Sequence, residues 1–282
     1  MSTVVHFIDV GQGNMVLIQT DSGRNYMFDC NITDDNADDV LSYVAKCIGW
    51  GQPLSAFICS HRDADHIRGV LRLHKSFPIA EVWDSGYPGT TTDSTEYNSY
   101  MRLRRHVGAT VLRRKTRHDF GCTRFRYLSA ADERLPSNAN AQGIIIKGEH
   151  RSRDDAQCLC STMLTGDSDA ATWRYGVMKD YAKSDVSTDI LMGGHHGSLT
   201  FFDDPADSKN YYTDHINSMS PAMSILSVGP NSHGHPKPKA VELYKKYSSG
   251  SRQGNKVFRT DQKGNMRLEL RDDGNWNLKT NQ

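Results

Sequence analysis

The first sixty residues alternate short apolar runs with polar turns. Apolar segments at 3–10, 14–20 and 25–30 are separated by the turn sequences GQG and DSG, which predicts three strands joined by tight turns. Apolar residues near helical spacing over 35–48, with acidic residues in the first turn, predict a helix. The continuously apolar run 54–60 predicts a strand that is buried on both faces.

Strands and helices continue to alternate through the rest of the chain. The pattern predicts further helices at 66–77, 94–108, 169–179 and 237–248. It predicts further strands at 79–85, 109–114, 123–129, 143–147, 158–166, 186–194, 222–228, 256–260, 265–270 and 275–279. The polar segment 148–156 is the best candidate for an exposed flexible loop. Strands joined partly by turns and partly by helices are typical of an α/β protein whose sheets are covered by helices.

Length and composition are those of a soluble globular protein. A chain of 282 residues can bury a substantial core, and we predict a single domain over residues 1–282. The hydrophobic fraction of 37% and the charged fraction of 24% are ordinary for this class. No apolar run approaches the roughly 20 residues that span a bilayer, and the start MSTVVHFIDV lacks the features of a signal peptide. The sequence therefore predicts a cytoplasmic protein that does not interact with membranes.

The ten residues SHRDADHIRG, which follow the predicted strand 54–60, are unusually rich in metal-binding side chains. Because residues i and i+2 of an extended segment face the same way, His61 and Asp63 can bind one ion. Asp65 and His66, at the turn into the next helix, can then reach a neighbouring ion. The alternative is a helix cap, in which one aspartate accepts hydrogen bonds from exposed backbone amides. A cap explains one aspartate but not the whole H-x-D-x-D-H pattern.

Three later strands also end in glycine followed by aspartate or histidine. The residues at these strand ends are Asp167, then His195 and His196, and finally His233 and His235. Because α/β proteins assemble sites where strand ends meet at one rim, we expect these side chains to lie near the first motif.

Taken in order, HFIDVGQGN, SHRDADHIRG, LTGD, GHHGS and GHPKP resemble the metallo-β-lactamase fold superfamily. Specifically, they resemble the branch that is similar to the nuclease-type domain of the competence DNA-uptake protein ComEC. The resemblance covers about residues 4–245 and depends on the joint presence and order of the motifs. It implies a four-layer αββα sandwich with a dinuclear metal site at the edge of its two sheets.

The resemblance also implies roles for individual residues. The implied metal ligands are His61, Asp63, Asp65, His66, Asp167 as the bridging carboxylate, and a histidine of the pair His195 and His196. His235 is implied as a last ligand or as a phosphate contact, which makes Asp65, His66, Asp167 and His235 the implied catalytic set. Asn14 stands where the branch usually has an aspartate. Asp9 and Asp29 end early strands, and each is either an outer partner of a ligating histidine or a turn-forming residue.

Two ions about 3.5–4 Å apart can hold a bridging hydroxide and stabilise the charge that develops on an attacked phosphorus or carbon. We therefore expect two divalent metal ions as cofactors. Asp63 replaces the histidine that is more common in the superfamily, which shifts the expected metal toward manganese without excluding zinc.

The distribution of charge points to the substrate. Residues 102–126 hold nine Arg or Lys against one acidic residue, and residues 237–263 hold eight against two. Because phosphodiester backbones are bound mainly by Lys and Arg, these stretches favour a nuclease or phosphodiesterase acting on DNA or RNA. Four nearby aromatic residues can either stack on bases or pack half-buried: Trp83, Tyr87, Tyr97 and Tyr100.

Two other functions stay open at this stage. The same metals can hydrolyse a small molecule, such as a lactone, thioester, β-lactam or cyclic nucleotide, in a narrow pocket. Alternatively, the chain is a metal-binding module regulated by a protein partner that displaces or cleaves the segment 148–156 or 199–215.

Overall fold

The structure is a computed structural model that describes residues 2–155 and 157–281. Its strands are β1 (Ser2–Phe7), β2 (Val16–Gln19), β3 (Asn25–Phe28), β4 (Cys30–Asn31), β5 (Ala56–Ile58), β6 (Val82–Asp84), β7 (Ala109–Val111), β8 (Arg117–Phe120), β9 (Thr123–Ser129), β10 (Ile145–Arg151), β11 (Cys158–Leu164), β12 (Ile190–Met192), β13 (Met223–Leu226), β14 (Val257–Arg259), β15 (Met266–Arg271) and β16 (Trp276–Lys279). Its α-helices are α1 (Ala37–Ile48), α2 (Ala64–Ile67), α3 (Val70–Ser76), α4 (Thr95–Val107), α5 (Met178–Asp180), α6 (Lys183–Val186), α7 (Asp214–Met219), α8 (Pro238–Tyr247) and α9 (Thr260–Lys263). A π-helical turn, Thr172–Val177, precedes α5, and 3₁₀ turns lie at Gly194–Gly197 and Leu199–Phe201.

Within the described residues, the strands form one sheet of eight and one of seven. The first has the order β16-β15-β1-β2-β3-β5-β6-β7, and its strands run parallel from β3 to β7. The second has the order β14-β13-β12-β11-β10-β9-β8, and its strands run parallel from β14 to β11. Parallel strands present their carboxyl ends at one edge of a sheet, which is where α/β proteins place binding residues.

Adjacent residues of a strand serve different layers of the core. Ile58 belongs to the core between the two sheets, whereas Phe57 packs with the helices outside the first sheet. In the second sheet, Ile190 faces the other sheet and Leu191 packs with the outer helices. Side chains alternate across a strand, so each sheet presents apolar side chains on both of its faces. One face packs against the other sheet, and the opposite face packs against helices. The result is the predicted αββα order of four layers.

Most predicted elements are present, with shorter bounds, but the segment 148–156 is not the predicted loop. Strand β10 extends to Arg151, and only residues 152–155 form a turn, while Ala156 lies outside the described residues. The charged residues of the strand are buried because they have partners. Glu149 lies 3.3 Å from Arg126, and His150 lies 2.8 Å from Asp272.

The helix predicted at 66–77 is interrupted. Helix α2 ends at Ile67, and α3 begins at Val70 after Gly69, whose φ is +74°. A Cβ at this position would lie 2.5 Å from the carbonyl oxygen of Ile32, so the close approach of the two segments requires glycine. Among the described residues, no helix combines the length and apolarity needed to cross a bilayer.

Candidate metal centre

Asp167 lies where the ends of several parallel strands meet. It follows β11, while the motif His61–His66 follows β5, and His195 and His196 follow β12. The Oδ1 atom of Asp167 is 3.1 Å from Nε2 of His66 and 3.4 Å from Nε2 of His196. Its Oδ2 atom is 4.0 Å from Nε2 of His61 and 3.6 Å from Nε2 of His195. The two oxygens of one carboxylate therefore face two different pairs of imidazoles.

The residues around Oδ1 form what we term the inner half-site, made of Asp65, His66 and His196 with Asp167. One ligand atom from each of these four residues lies within 4.8 Å of the others. Oδ2 of Asp65 is 3.3 Å from Nε2 of His196. Both imidazoles are buried, with side-chain exposures of 0% for His66 and 4% for His196.

The residues around Oδ2 form the outer half-site, made of His61, Asp63 and His195 with Asp167. Oδ2 of Asp63 lies 3.8 Å from Nε2 of His61. The side chain of His61 is 3% exposed, but those of Asp63 and His195 are each 24% exposed. The outer half-site thus has the same donor types as the inner one. The terminal aspartates of both are partly exposed, since Asp65 is 32% exposed, but only the outer half-site has a partly exposed imidazole, that of His195.

The imidazoles are suited to hold divalent ions. Within the described part of the chain, Nε2 of His61, His66 and His196 is buried and has no hydrogen-bond partner. A buried polar atom without a hydrogen bond costs free energy, so three of them facing one carboxylate are well placed to bind a ligand. Nitrogen and oxygen donors in this combination are those of zinc and manganese sites. The residues present therefore fit a pair of divalent ions.

Asp29 contacts the inner half-site through the ring nitrogen of His66 that does not face Asp167. Its side chain is fully buried, and its Oδ2 lies 2.7 Å from Nδ1 of His66. The same carboxylate accepts hydrogen bonds from the amide and hydroxyl of Ser60, both at 2.7 Å, and from Nδ2 of Asn14 at 3.0 Å. This is the carboxylate–histidine arrangement that orients metal ligands. Asp9, in contrast, accepts a bond from the Gly11 amide at 3.3 Å, as expected of a turn residue.

An unusual backbone lets the neighbouring residues His195 and His196 both present Nε2 to Asp167. His195 and His196 have φ values of +49° and +53°, in the left-handed region that non-glycine residues rarely adopt. Each such residue costs about 1–3 kcal/mol and is typical of functional sites. His196 donates from Nδ1 to the carbonyl oxygen of Ser227 at 2.8 Å, which leaves its Nε2 facing Asp167. Nδ1 of His195 lies 2.9 Å from Oγ1 of Thr200.

Burial and charge shift the pKa values of the central groups. Burial disfavours the carboxylate form of Asp167, but the imidazoles of His66 and His196 outweigh it and hold its pKa well below the usual range. Burial also disfavours protonation of His66, yet Asp167 and Asp29 raise its pKa well above the usual value. The pKa of His196 is raised as well, since Asp167 outweighs burial. For His61, burial and the charge of His66 together lower the pKa.

His235 lies beyond His195 and outside the group of ligand atoms around Asp65. Its ring centre is 5.6 Å from that of His195 and 5.9 Å from that of His233. Its Nδ1 is buried, with no hydrogen-bond partner in the described chain. Burial and the neighbouring His195 lower its pKa to about 4. Of the two roles that the sequence leaves open for His235, this position favours contact with a substrate.

Several residues that touch the ligands carry no signal in the sequence. Ser60 lies 3.0 Å from Nδ1 of His61, and the backbone carbonyl of Ser227 accepts from His196. Thr90 donates both its amide and its hydroxyl to Asp63, at 2.7 and 2.8 Å. Thr200 lies against His195. Serine and threonine are common in loops, so only the folded chain shows which of them reach the ligands.

Ion pairs neutralise most of the first basic stretch, 102–126. Among the described residues, six of its nine cations pair with carboxylates: Arg104, Arg114, Lys115, Arg117, Arg124 and Arg126. Several of the acidic partners are distant in sequence, such as Asp180 and Asp185. The charge excess read from the sequence is therefore much smaller on the folded surface.

The second basic stretch, 237–263, keeps most of its charge. Of its eight cations, Lys239 and Arg259 pair with carboxylates, and within the described chain the others do not. Lys237 directly follows the His235–Pro236 peptide, and its Nζ donates to the carbonyl oxygen of His233 at 2.8 Å. The unneutralised stretch therefore begins beside the outer half-site.

Two of the aromatic residues considered for base stacking are in the core. Tyr100 is fully buried and donates to Asp84 at 2.5 Å, and Trp83 is 7% exposed. Stacking on nucleic acid is therefore excluded for these two, because stacking requires an accessible ring face. Tyr87 and Tyr97 are half-buried.

Comparison with protein families agrees with this architecture. The model of the metallo-beta-lactamase superfamily matches residues 8–136, which contain the first ligand motif. This match covers less than half of the chain. The two-sheet sandwich of the whole chain is the metallo-beta-lactamase fold. Members of the superfamily are metal-dependent hydrolases that bind divalent metals, typically in pairs. A comparison with curated proteins finds no match.

Solved structures share the metallo-beta-lactamase fold at low sequence identity. The fold protein YhfI from Bacillus subtilis is 13% identical, with a TM-score of 0.51 over 93% of this chain and 98% of its own. Igni18, a metallo hydrolase from Ignicoccus hospitalis, is 11% identical, with a TM-score of 0.52 over 95% of this chain and 100% of its own. CmlA, a diiron beta-hydroxylase from Streptomyces venezuelae, is 11% identical, with a TM-score of 0.56 over 95% of this chain and 54% of its own. At such identities, the likeness concerns the fold alone.

Proposed function

We propose that this protein is a metal-dependent hydrolase that cleaves phosphodiester bonds, with nucleic acid as its substrate class and a ComEC-like place in the superfamily. The observation that supports it best is the convergence of the buried Nε2 atoms of His61, His66 and His196 on Asp167. These residues would hold two divalent ions, zinc or manganese, which would supply a means of activating water and of offsetting the negative charge that develops on the phosphoryl group. Seven of the eight residues predicted from the sequence would hold the ions, with Asp167 between the two half-sites, and His235 would contact the substrate.

The residues around the metal centre have three further roles in the proposed reaction. Asp63, Asp65 and Asp167 supply the negative charge that keeps two cations close together. Asp29 and Ser227 fix the orientation of the inner imidazoles. His235, whose lowered pKa leaves it neutral near pH 7, can donate one hydrogen bond to a substrate oxygen without adding charge.

The second basic stretch supports a polyanionic substrate. Lys237 lies next to His235, and further cations without carboxylate partners in the described chain follow along α8, including Lys245 and Lys246. Lysines without carboxylate partners suit a phosphodiester backbone, whose binding releases counterions.

Hydrolysis of a small ester by the same residues is the second candidate. Its support comes from the first basic stretch, because ion pairing leaves few free cations there for a long nucleic acid. A short or cyclic phosphodiester needs only the centre and the adjacent Lys237.

The experiment is an assay of the purified protein with manganese or zinc. Substrates are single- and double-stranded DNA, RNA, bis(p-nitrophenyl) phosphate and nitrocefin. We expect phosphodiester cleavage that is abolished by EDTA and by Asp65→Ala. Turnover of nitrocefin alone, or metal binding without any turnover, contradicts the proposal.

A salt titration tests the nucleic-acid part separately. We expect binding of single-stranded DNA to weaken as salt rises, and the double variant Lys245→Gln/Lys246→Gln to reduce the slope by about two. Arg117→Gln is the matched control, since Arg117 is exposed but already paired with Asp119. A slope that is equal in the wild type and the double variant points instead to the small-ester substrate.

A further inference from the structure

The two half-sites differ in the groups that orient their ligands. In the inner half-site, both imidazoles bond to buried partners, the carboxylate of Asp29 and the carbonyl of Ser227. In the outer half-site, Asp63 and His195 bond to Thr90 and Thr200, which are both exposed residues. Only the third outer ligand, His61, has a buried partner among the described side chains, the hydroxyl of Ser60.

Thr90 determines how the Asp63 carboxylate is turned. Its amide donates to Oδ1 of Asp63 at 2.7 Å, and its hydroxyl donates to Oδ2 at 2.8 Å. Oδ2 is also the oxygen that lies 3.8 Å from Nε2 of His61. Because both oxygens are bonded by one residue, the plane of the carboxylate is fixed relative to His61.

The loop that carries Thr90 is itself anchored to the first ligand motif. Asp84, at the end of β6, is 1% exposed and accepts from the Gly86 amide and from Nη2 of Arg62, each at 2.9 Å. A Cβ on Gly89 would lie 2.5 Å from the carbonyl oxygen of Arg62, so the loop rests directly on this peptide. Since Arg62 lies between two outer ligands, the loop and the motif are held as one unit.

Thr200 plays the corresponding part for His195. Its Oγ1 is 2.9 Å from Nδ1 of the ring and 3.1 Å from Oγ of Ser198. A histidine that ligates through Nε2 carries its proton on Nδ1, so His195 donates to Thr200. The hydroxyl then fixes both the tautomer and the rotation of this partly exposed ring.

We propose that Thr90 and Thr200 are positioning residues of the outer half-site, and that this half-site binds its ion more weakly than the inner one. The inference rests on the proposed function only in requiring that both half-sites bind divalent ions. The inner ligand His66 is backed by the buried negative charge of Asp29, which strengthens its imidazole as a donor, and His196 is backed by the buried carbonyl of Ser227. The outer ligands are backed by neutral hydroxyls that compete with water for the same bonds.

The test is a titration of the metal-free protein with manganese and, separately, zinc, by calorimetry and by equilibrium dialysis with elemental analysis. We expect two binding classes in the wild type, with Asp63→Asn removing the weaker class. Thr90→Val and Thr200→Val each weaken that class about ten-fold and leave the tighter class unchanged. Thr90→Ser, which keeps the hydroxyl, binds as the wild type does.

Thr91→Val is the matched control, because Thr91 is an exposed neighbour in the same loop and has no side-chain hydrogen bond to the described residues. Circular dichroism and thermal unfolding establish that each variant is folded. Unchanged binding in both valine variants, with two classes present, overturns the positioning role and leaves the proposed function standing. Loss of the weaker class in Asp65→Asn instead of Asp63→Asn reverses the order of the half-sites and also overturns it. A wild type that binds no ion overturns both proposals.

Discussion

The inner and outer half-sites offer an ion the same donors in different surroundings. Each combines two imidazoles, one terminal aspartate and one oxygen of Asp167. The inner imidazoles are buried and backed by Asp29 and Ser227, whereas the outer pair includes the partly exposed His195. A difference in affinity between them must therefore arise from the partners of the ligands and not from the ligands themselves.

This comparison shows how little of a metal site is specified by its ligand motif. The pattern H-x-D-x-D-H supplies one histidine and one aspartate to each half-site from nearby positions, so the ligand types alone do not distinguish the half-sites. The two half-sites differ because of side chains from other loops. The carboxylate of Asp29 contacts an inner ligand, and the hydroxyl of Thr90 contacts an outer one. Such outer contacts tune affinity by about 10–100-fold.

The largest effect is expected for Asp167→Asn, because this residue serves both half-sites. The amide keeps the size of the side chain but loses the negative charge that faces both imidazole pairs. We expect the affinity of both binding classes to fall by more than about 100-fold, as measured by equilibrium dialysis. About 100-fold is the upper range for variants of residues that contact a metal ligand without binding the metal. Asp169→Asn is the control, since Asp169 caps the following π-helical turn through Thr172. If only one class weakens, Asp167 does not bridge the half-sites.

The sequence predicts the parts of this centre that depend on local pattern. Apolar runs that end in glycine and then histidine or aspartate mark strand ends, and parallel strands bring such ends to one rim. The prediction of an αββα sandwich is confirmed, and the structure places His61, Asp167 and His196 together as expected. The roles of the site residues in metal binding remain predictions.

The rest depends on contacts between distant segments, which periodicity cannot reveal. Arg126 looks like a free cation in the sequence, but it pairs with Glu149 and Asp185 once the second sheet forms. Glu149 lies in the segment predicted as a loop, where buried partners instead stabilise a strand. Thr90 is one of several threonines in its loop, and only the packing of Gly89 against the first motif selects it.

The next largest effect is expected for Asp29→Asn. This change leaves His66 in a buried position with one fewer negative charge, and we expect the inner affinity to fall about 10–100-fold. The outer class should change much less, which titration of both classes measures. Asp9→Asn is the matched control, because Asp9 also ends an early strand region but bonds to the Gly11 turn. Equal weakening of both classes would show that Asp29 supports the whole fold and not one half-site.

The smallest effect concerns protons. The pKa of His66 is raised well above its usual value and that of His196 is raised as well, so the metal-free inner half-site holds more protons near neutral pH than free imidazoles do, and ligation must expel them. The lowered pKa of His61 means that this outer imidazole is already neutral. We therefore expect the tighter class to release about one to two protons per ion and to gain affinity as pH rises, and the weaker class to release fewer. Calorimetry in buffers of different ionisation enthalpy measures both numbers. The two half-sites have the same donor types. Equal proton release by the two binding classes would therefore mean that the charges around the half-sites do not make them different. Any difference in affinity would then arise from solvent exposure alone.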